Sequence, residues 1–400
     1  MGGAEERRLP VFLLPQKTMK RRILIFAMSY PPQAVGTGSY AYTLACGLAD
    51  RGYEPLVVAP SIEGDRAFDA NSAFAVGRFS LPRSVPMRYV RARALLKEQV
   101  EVFAPDCTWA TNGMATRVAG LLDCWNRHPL ITSMRGSDVV IHLRGGGVLR
   151  EIESMLQRRA YAQSAAIAAV SRFVRDRAVA QGVDGRSIFV HPPAWQAQYA
   201  QDYCYDPASL SLQLPILKGK RIVLTVARLV AQKRVDRVLQ AGSRLLKEFP
   251  EMVQVIVGDG PEREKLERLA RELGWGDRVL FVGALMPRSP QLFDMYSSAE
   301  VFMLPSVREG MGNVFIEAGA FGLPCLGVSD GGVPECIEEG KSGLLCRVDD
   351  VEDLCAKLRF ILKDPERARQ MGAAGRARVE VAFSEAALAE RAIEVIESVC

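Results

Sequence analysis

From residue 22 onward, short apolar runs alternate with segments of helical period, and this alternation restricts the fold more than any other feature. Apolar runs fall at 23–28, 55–59, 73–79, 106–110, 130–133, 166–169 and 188–190. Helical patterns separate them at 39–51, 87–103, 114–126, 149–163 and 171–181. Continuous apolar strands joined by helical crossovers make parallel sheets covered on both faces, so the chain reads as α/β. The period is lost between about 195 and 219, and a second series then begins at Arg221. Its strands fall at 221–227, 253–257, 279–282, 301–304, 325–327 and 343–346. Its helices fall at 235–248, 263–273, 290–298, 314–322, 351–362 and 366–382, and an amphipathic helix at 385–399 closes the chain. Two Rossmann-like domains with parallel sheets facing a central cleft are expected, and ligands in such sheets sit outside the carboxyl ends of the strands.

The 400 residues are 48% hydrophobic and 24% charged, which excludes a disordered or fibrous chain. No apolar run approaches the roughly 18–20 residues of a membrane span. Residues 1–18 show neither period, so they read as a disordered arm ahead of a domain starting at Met19. Nine scattered cysteines without a C-x-x-C pair, and only three histidines, argue against a zinc site or a disulfide framework and fit a reducing, cytoplasmic setting. Residues 1–200 carry 25 Lys and Arg against 16 Asp and Glu, whereas residues 201–400 carry 26 against 30. The basic half therefore has a different electrostatic task from the acidic one.

Five motifs stand at strand ends. Gly36-Thr37-Gly38-Ser39-Tyr40-Ala41 matches a dinucleotide fingerprint in letters, but seven residues separate it from its strand and no acid ends the second strand, so NAD is disfavoured. Its backbone N–H groups can still face a phosphate or sugar across the cleft. Arg228 and Lys233, five apart between a strand end and a helix start, can close on a diphosphate. Gly258-Asp259-Gly260-Pro261 is a tight turn into a helix, read equally as pocket lining or as turn chemistry. Glu309-Gly310-Met311-Gly312-Asn313 leads into an apolar helix bearing Glu317, giving E-x7-E. A carboxylate in such a helix needs donors, which ribose hydroxyls supply, and N–H groups near Gly312, Asn313 and Val314 can hold phosphate. Finally, Gly331-Gly332-Val333-Pro334-Glu335 permits close backbone approach to a ligand, with Glu335 reaching sugar hydroxyls or complementing its own helix start.

In this order the motifs resemble the retaining family-4 glycosyltransferases (glycosyl transferase group 1) of GT-B fold. The resemblance covers residues 19–400 and is most specific over 220–345. It implies an N-terminal acceptor-binding domain at 19–200, a linker at 201–219 and a nucleotide-sugar-binding domain at 220–382. Residues 383–400 would form a helix packing back on the first domain. It implies a metal-independent retaining hexosyltransferase moving sugar from a nucleotide-diphosphate sugar, UDP favoured by the family, to a glycan, lipid-linked or small-molecule hydroxyl, as in polysaccharide biosynthesis. Arg228, Lys233 and Glu309 would be catalytic. Gly36, Gly38, Gly258, Gly283, Gly312, Asn313, Val314 and Glu317 would join them around the donor, the base lying near Gly283. No D-x-D occurs, so neither a metal nor a cofactor is expected, and cations with helix dipoles neutralise the diphosphate instead.

One departure stands out. Where the family often carries His, the stretch Ser133-Met134-Arg135-Gly136-Ser137-Asp138 has Arg135, which cannot act as a base near neutral pH. Arg135 and Asp138 are assigned to the acceptor or donor-sugar side, with a structural Arg135–Asp138 pair as the alternative. Arg83, Arg88, Arg91, Arg93 and Lys97 fall within fifteen residues with no acid among them and apolar residues between. They form either a solvated helix face or a peripheral contact with the inner face of a membrane; nucleic acid is not expected. The rival functions are another GT-B sugar-nucleotide enzyme, an epimerase or phosphorylase, and a non-catalytic nucleotide- or glycan-binding relative.

Overall fold

The computed structural model describes residues 20–32, 37–136, 147–195, 198–207 and 214–400. The expected arm at 1–18, Gly36 and Asp138 lie outside them. The first sheet has seven parallel strands in the order β3-β2-β1-β4-β5-β6-β7. These are β1 Arg22–Phe26, β2 Glu54–Pro60, β3 Ala75–Phe79, β4 Cys107–Ala110, β5 Leu130–Met134, β6 Ala166–Ala169 and β7 Ile188–Val190. The second has six in the order β10-β9-β8-β11-β12-β13. These are β8 Arg221–Val226, β9 Met252–Val257, β10 Val279–Gly283, β11 Val301–Met303, β12 Cys325–Val328 and β13 Gly343–Cys346. Thirteen apolar runs thus become thirteen strands; most are buried on both faces and need no alternation, whereas the edge strands β3 and β10 are largely half-buried.

Two expected helices are shorter. The one expected at 114–126 is Gly113–Ala119, and the one expected at 235–248 is Val235–Ser243. The first stops where Gly120 meets another element: a Cβ there would lie 2.5 Å from the Leu156 carbonyl oxygen. The second ends in hydrogen-bonded turns, with Leu245 N–H donating to the Gly242 carbonyl and Phe249 N–H to that of Leu245.

A continuous apolar core crosses between the halves. Met134, Val170 and Val174 of the first half share one cluster with Met311, Phe315 and Val333 of the second. The closing helix, Glu385–Glu397, buries Leu388, Ala392, Val395 and Ile396 against the first domain, in the cluster of Ile23 and Leu44. It approaches helix Thr37–Ala49 so closely that a Cβ on Gly47 would meet that of Ala389 at 2.7 Å.

Candidate functional site

The parallel strands of both sheets end toward the cleft, and two adjoining cavities open there. The larger, about 450 Å³, is walled by the ends of β8, β9 and β10 and by helix Asn313–Ala320, with Tyr40 and Trp195 opposite. The smaller, about 280 Å³, lies among Arg135, Lys233, Glu309 and Asn313.

The polypeptide turns that shape the larger cavity require glycine. Gly258 has φ 134°, and a Cβ on it would fall 1.8 Å from the Ala227 carbonyl oxygen. Its N–H donates to the Gly283 carbonyl at 2.8 Å, which joins the two turns the sequence had singled out. Gly312, φ 92°, precedes helix Asn313–Ala320, and a Cβ there would strike the Phe315 ring at 2.8 Å. There is no side-chain cap at that start; Phe315 N–H donates to the Gly312 carbonyl at 2.9 Å, and the Asn313 and Val314 N–H groups, without a partner in the helix, carry its positive dipole end.

Arg228 and Glu317 both line the larger cavity. Tyr296 Oη donates to Glu317 Oε2 at 2.9 Å. Withdrawal from water pushes the Glu317 carboxyl up to about 7; the Tyr296 hydrogen bond and the Arg288 charge oppose this only in part. Arg288, in the left-handed region at φ 60°, lies over the rings of Tyr199 and Trp195, 5.0 and 5.6 Å from their centroids. The partner of Glu317 is therefore a hydroxyl and not the cation of an internal salt bridge, so one carboxylate oxygen stays available to a second donor.

In the smaller cavity Lys233 Nζ donates to Glu309 Oε1 at 2.5 Å. Asp330 Oδ2 accepts from Arg308 N–H, and the Glu309 carbonyl accepts from Gly332 N–H at 2.8 Å. The paired glycines 331 and 332 thus admit the backbone of Glu309 and Gly310, where the sequence pointed to a ligand. Glu335 likewise contacts neither cavity. It accepts from Arg172 N–H at 3.0 Å and Phe173 N–H at 3.1 Å, the start of helix Arg172–Val179 in the other domain. Ser171 Oγ, the cap of that helix, donates to the Gly310 carbonyl at 2.6 Å.

The N-terminal half contributes Arg135, whose guanidinium stands 3.9 Å above the Tyr40 ring. Gly38 is buried in helix Thr37–Ala49, and its neighbours Ser39 and Tyr40 face the larger cavity instead. His191 is fully buried beside Tyr40 Oη at 3.1 Å, and burial pushes its imidazole down to about 3, so it stays neutral. His128 Nδ1 lies 3.1 Å from the Pro105 carbonyl, away from the cleft. Tyr296, Trp195, Arg288 and Ser171 were not legible as site residues: none sits in a spaced motif, and each arrives from another element.

Residues 210–378 match the family described as glycosyl transferases group 1, and residues 35–194 match a glycosyl transferase 4-like domain. The chain is 30% identical over 377 residues to the GDP-mannose-dependent alpha-(1-6)-phosphatidylinositol monomannoside mannosyltransferase of Mycobacterium tuberculosis, covering 89% of this chain and 92% of that protein. The enzyme of the same name from Mycolicibacterium smegmatis is 27% identical over 372 residues, 88% and 92% of the two chains. In fold the chain is similar to Anabaena Alr3699/HepE in complex with UDP and glucose, with a TM-score of 0.76, 19% identity, and 94% and 100% of the chains covered. It is also similar to WaaG, a glycosyltransferase involved in lipopolysaccharide biosynthesis, with a TM-score of 0.69, 18% identity, and 94% and 99% covered.

Proposed function

The chain belongs to the glycosyl transferases of group 1 and is a GT-B glycosyltransferase using a sugar-nucleotide donor, and we propose that it is a metal-independent, retaining hexosyltransferase. The observation that carries this reading is the convergence of Arg228, Lys233, Glu309, Glu317 and the open start of helix Asn313–Ala320 on one cleft. The nucleoside occupies the larger cavity, with its ribose hydroxyls donating to Glu317 and its base against the turn after Gly283. The diphosphate lies at the helix start, between Arg228 and Lys233. Their charges and the Asn313 and Val314 N–H groups stabilise the diphosphate as it leaves. Glu309, freed from Lys233 when that cation turns to the phosphate, orients the sugar. The acceptor hydroxyl attacks from the face the diphosphate leaves, and the departing phosphate oxygen takes its proton. No side-chain base is required, which accords with Arg135 at the sugar end and with a neutral, buried His191.

The base has two readings. The family resemblance favours UDP; the names of two relatives aligned along nearly their whole length favour GDP-mannose. The acceptor is a hydroxyl of a glycan, a lipid-linked sugar or a small metabolite. A thermal-shift panel of UDP, GDP, ADP, phosphate and NAD on wild type and Glu317→Ala tests the reading. A ligand at about 100 times its Kd adds roughly 2.7 kcal/mol. A shift with one nucleoside diphosphate, lost in Glu317→Ala, is expected and names the base. A shift with NAD alone overturns it.

A further inference from the structure

Two neighbouring helices of the first domain leave large aliphatic side chains in solvent. On helix Val148–Gln163 these are Val148, Leu149, Ile152 and Met155, exposed by 76, 78, 45 and 57%. Their spacing, i, i+1, i+4 and i+7, puts them on one side of the helix, opposite the buried Ser154, Gln157 and Tyr161. On helix Val85–Phe103 the corresponding residues are Val85, Met87 and Val90, each more than half exposed. Single exposed aliphatics are ordinary, but contiguous groups of them on a soluble protein mark a contact surface.

The two groups belong to one surface. Tyr89 Oη donates to Glu153 Oε1 at 3.3 Å, Arg117 Nε donates to Tyr89 Oη at 2.8 Å, and Arg117 pairs with Glu153 at 3.6 Å. These contacts fasten the first halves of both helices to each other through helix Gly113–Ala119. Both helices follow strands of a parallel sheet, so both begin at the carboxyl edge where the cleft opens. Helix Val148–Gln163 follows β5, whose next residue, Arg135, lines the smaller cavity.

Charge identifies the occupant. Arg83, Arg91, Arg93 and Arg150 are exposed around the aliphatic groups, no acid occurs between Leu81 and Lys97, and Lys97 itself, farther along the helix, pairs with Glu101 at 3.7 Å. Of the acids on the neighbouring helix, Glu153 is held by Arg117, leaving Glu151 exposed. A second copy of this chain docking face to face would press these cations against their own counterparts. An anionic bilayer offers what both components lack: phosphates for the arginines and an acyl boundary for the aliphatics.

We propose that the first halves of helices Val85–Phe103 and Val148–Gln163 form a docking surface for an anionic lipid bilayer, placing the cleft mouth at the membrane. This goes beyond the transfer reaction and does not depend on which nucleotide the cleft takes. Co-flotation of the full chain with phosphatidylcholine vesicles, with or without about 30% phosphatidylglycerol, tests it. Leu149→Asp/Ile152→Asp removes the apolar component and Arg83→Glu/Arg91→Glu the charged one. All four side chains are exposed, and an unchanged thermal shift with UDP and GDP verifies that fold and donor site are intact. Wild type is expected on the anionic vesicles, with binding weakened about tenfold or more in each variant and by added salt. Absence of binding to anionic vesicles, or binding equal in wild type and both variants, overturns the proposal. So does a concentration-dependent dimer in sedimentation analysis that Leu149→Asp abolishes, which would assign the face to self-association.

Discussion

Lys233 and Glu309, 76 residues apart, meet at 2.5 Å in the smaller cleft cavity, with their side chains 22 and 13% exposed. The cation suited to a diphosphate and the carboxylate suited to a sugar thus hold each other. In the proposed function a donor separates them by giving Lys233 a stronger partner.

Lys233→Ala is therefore expected to weaken nucleoside-diphosphate binding about ten- to a hundredfold, the loss of one charge-assisted bond. Glu309→Gln is expected to keep that affinity within about threefold while lowering donor turnover about a hundredfold or more. Calorimetry with UDP and GDP and a donor-turnover assay separate the two effects. Wild-type turnover in Glu309→Gln would contradict the assignment.

Glu317 gives a pH dependence with a definite sign. Withdrawal from water pushes its carboxyl up to about 7 in the folded chain, from 4.5 unperturbed. Between those values the folded state holds a proton that the unfolded state has released, so stability falls as pH rises across that window and is level above it. The loss is at most about 3 kcal/mol. Glu317→Gln should be more stable than wild type at pH 8, with the advantage shrinking toward pH 5, as read by thermal denaturation without ligand. Nucleoside-diphosphate affinity should rise with pH through about 7 in wild type and stay flat in the variant. Equal pH slopes in both proteins would refute this.

Glu335 fastens the two domains by accepting from Arg172 and Phe173 N–H at the start of a helix in the other half. Removing a carboxylate from a helix start costs about 0.3–2 kcal/mol. Glu335→Ala is expected to lower the melting temperature and to enlarge the radius of gyration in small-angle scattering, with Glu335→Gln between it and wild type. An unchanged radius in Glu335→Ala would show that the contact does not hold the cleft closed.

Arg135 lies over the Tyr40 ring and beside the smaller cavity, which the proposed function makes the sugar end of the site. Arg135→Ala should leave nucleoside-diphosphate affinity within about threefold and reduce turnover about tenfold or more. The reverse pattern in calorimetry and turnover would move Arg135 to the diphosphate.

The order of strands and helices was legible because a doubly buried strand and a one-sided helix each impose a local period on the residues that form them. The glycine turns and the E-x7-E pair were legible for the same reason: their spacing lies within a single turn and helix. Glu335 shows where that reading stops. Sequence offered it a sugar hydroxyl or its own helix, and the fold gave it the backbone of a helix 163 and 162 residues earlier. Tyr296, donating to Glu317 from 21 residues away, and Ser171, reaching Gly310 across 139, left no pattern to read. Likewise the arginines of 83–97 and the apolar residues among them were visible as a run, but the second aliphatic group, on helix Val148–Gln163, was not. Whether Leu149 and Ile152 are covered depends on which elements pack over helix Val148–Gln163. Local periods and spacings therefore encode the α/β framework and the chemistry available at its strand ends. Which of those groups meet follows from tertiary packing, because contacts between domains depend on how two separately periodic layers dock, and no local spacing encodes that.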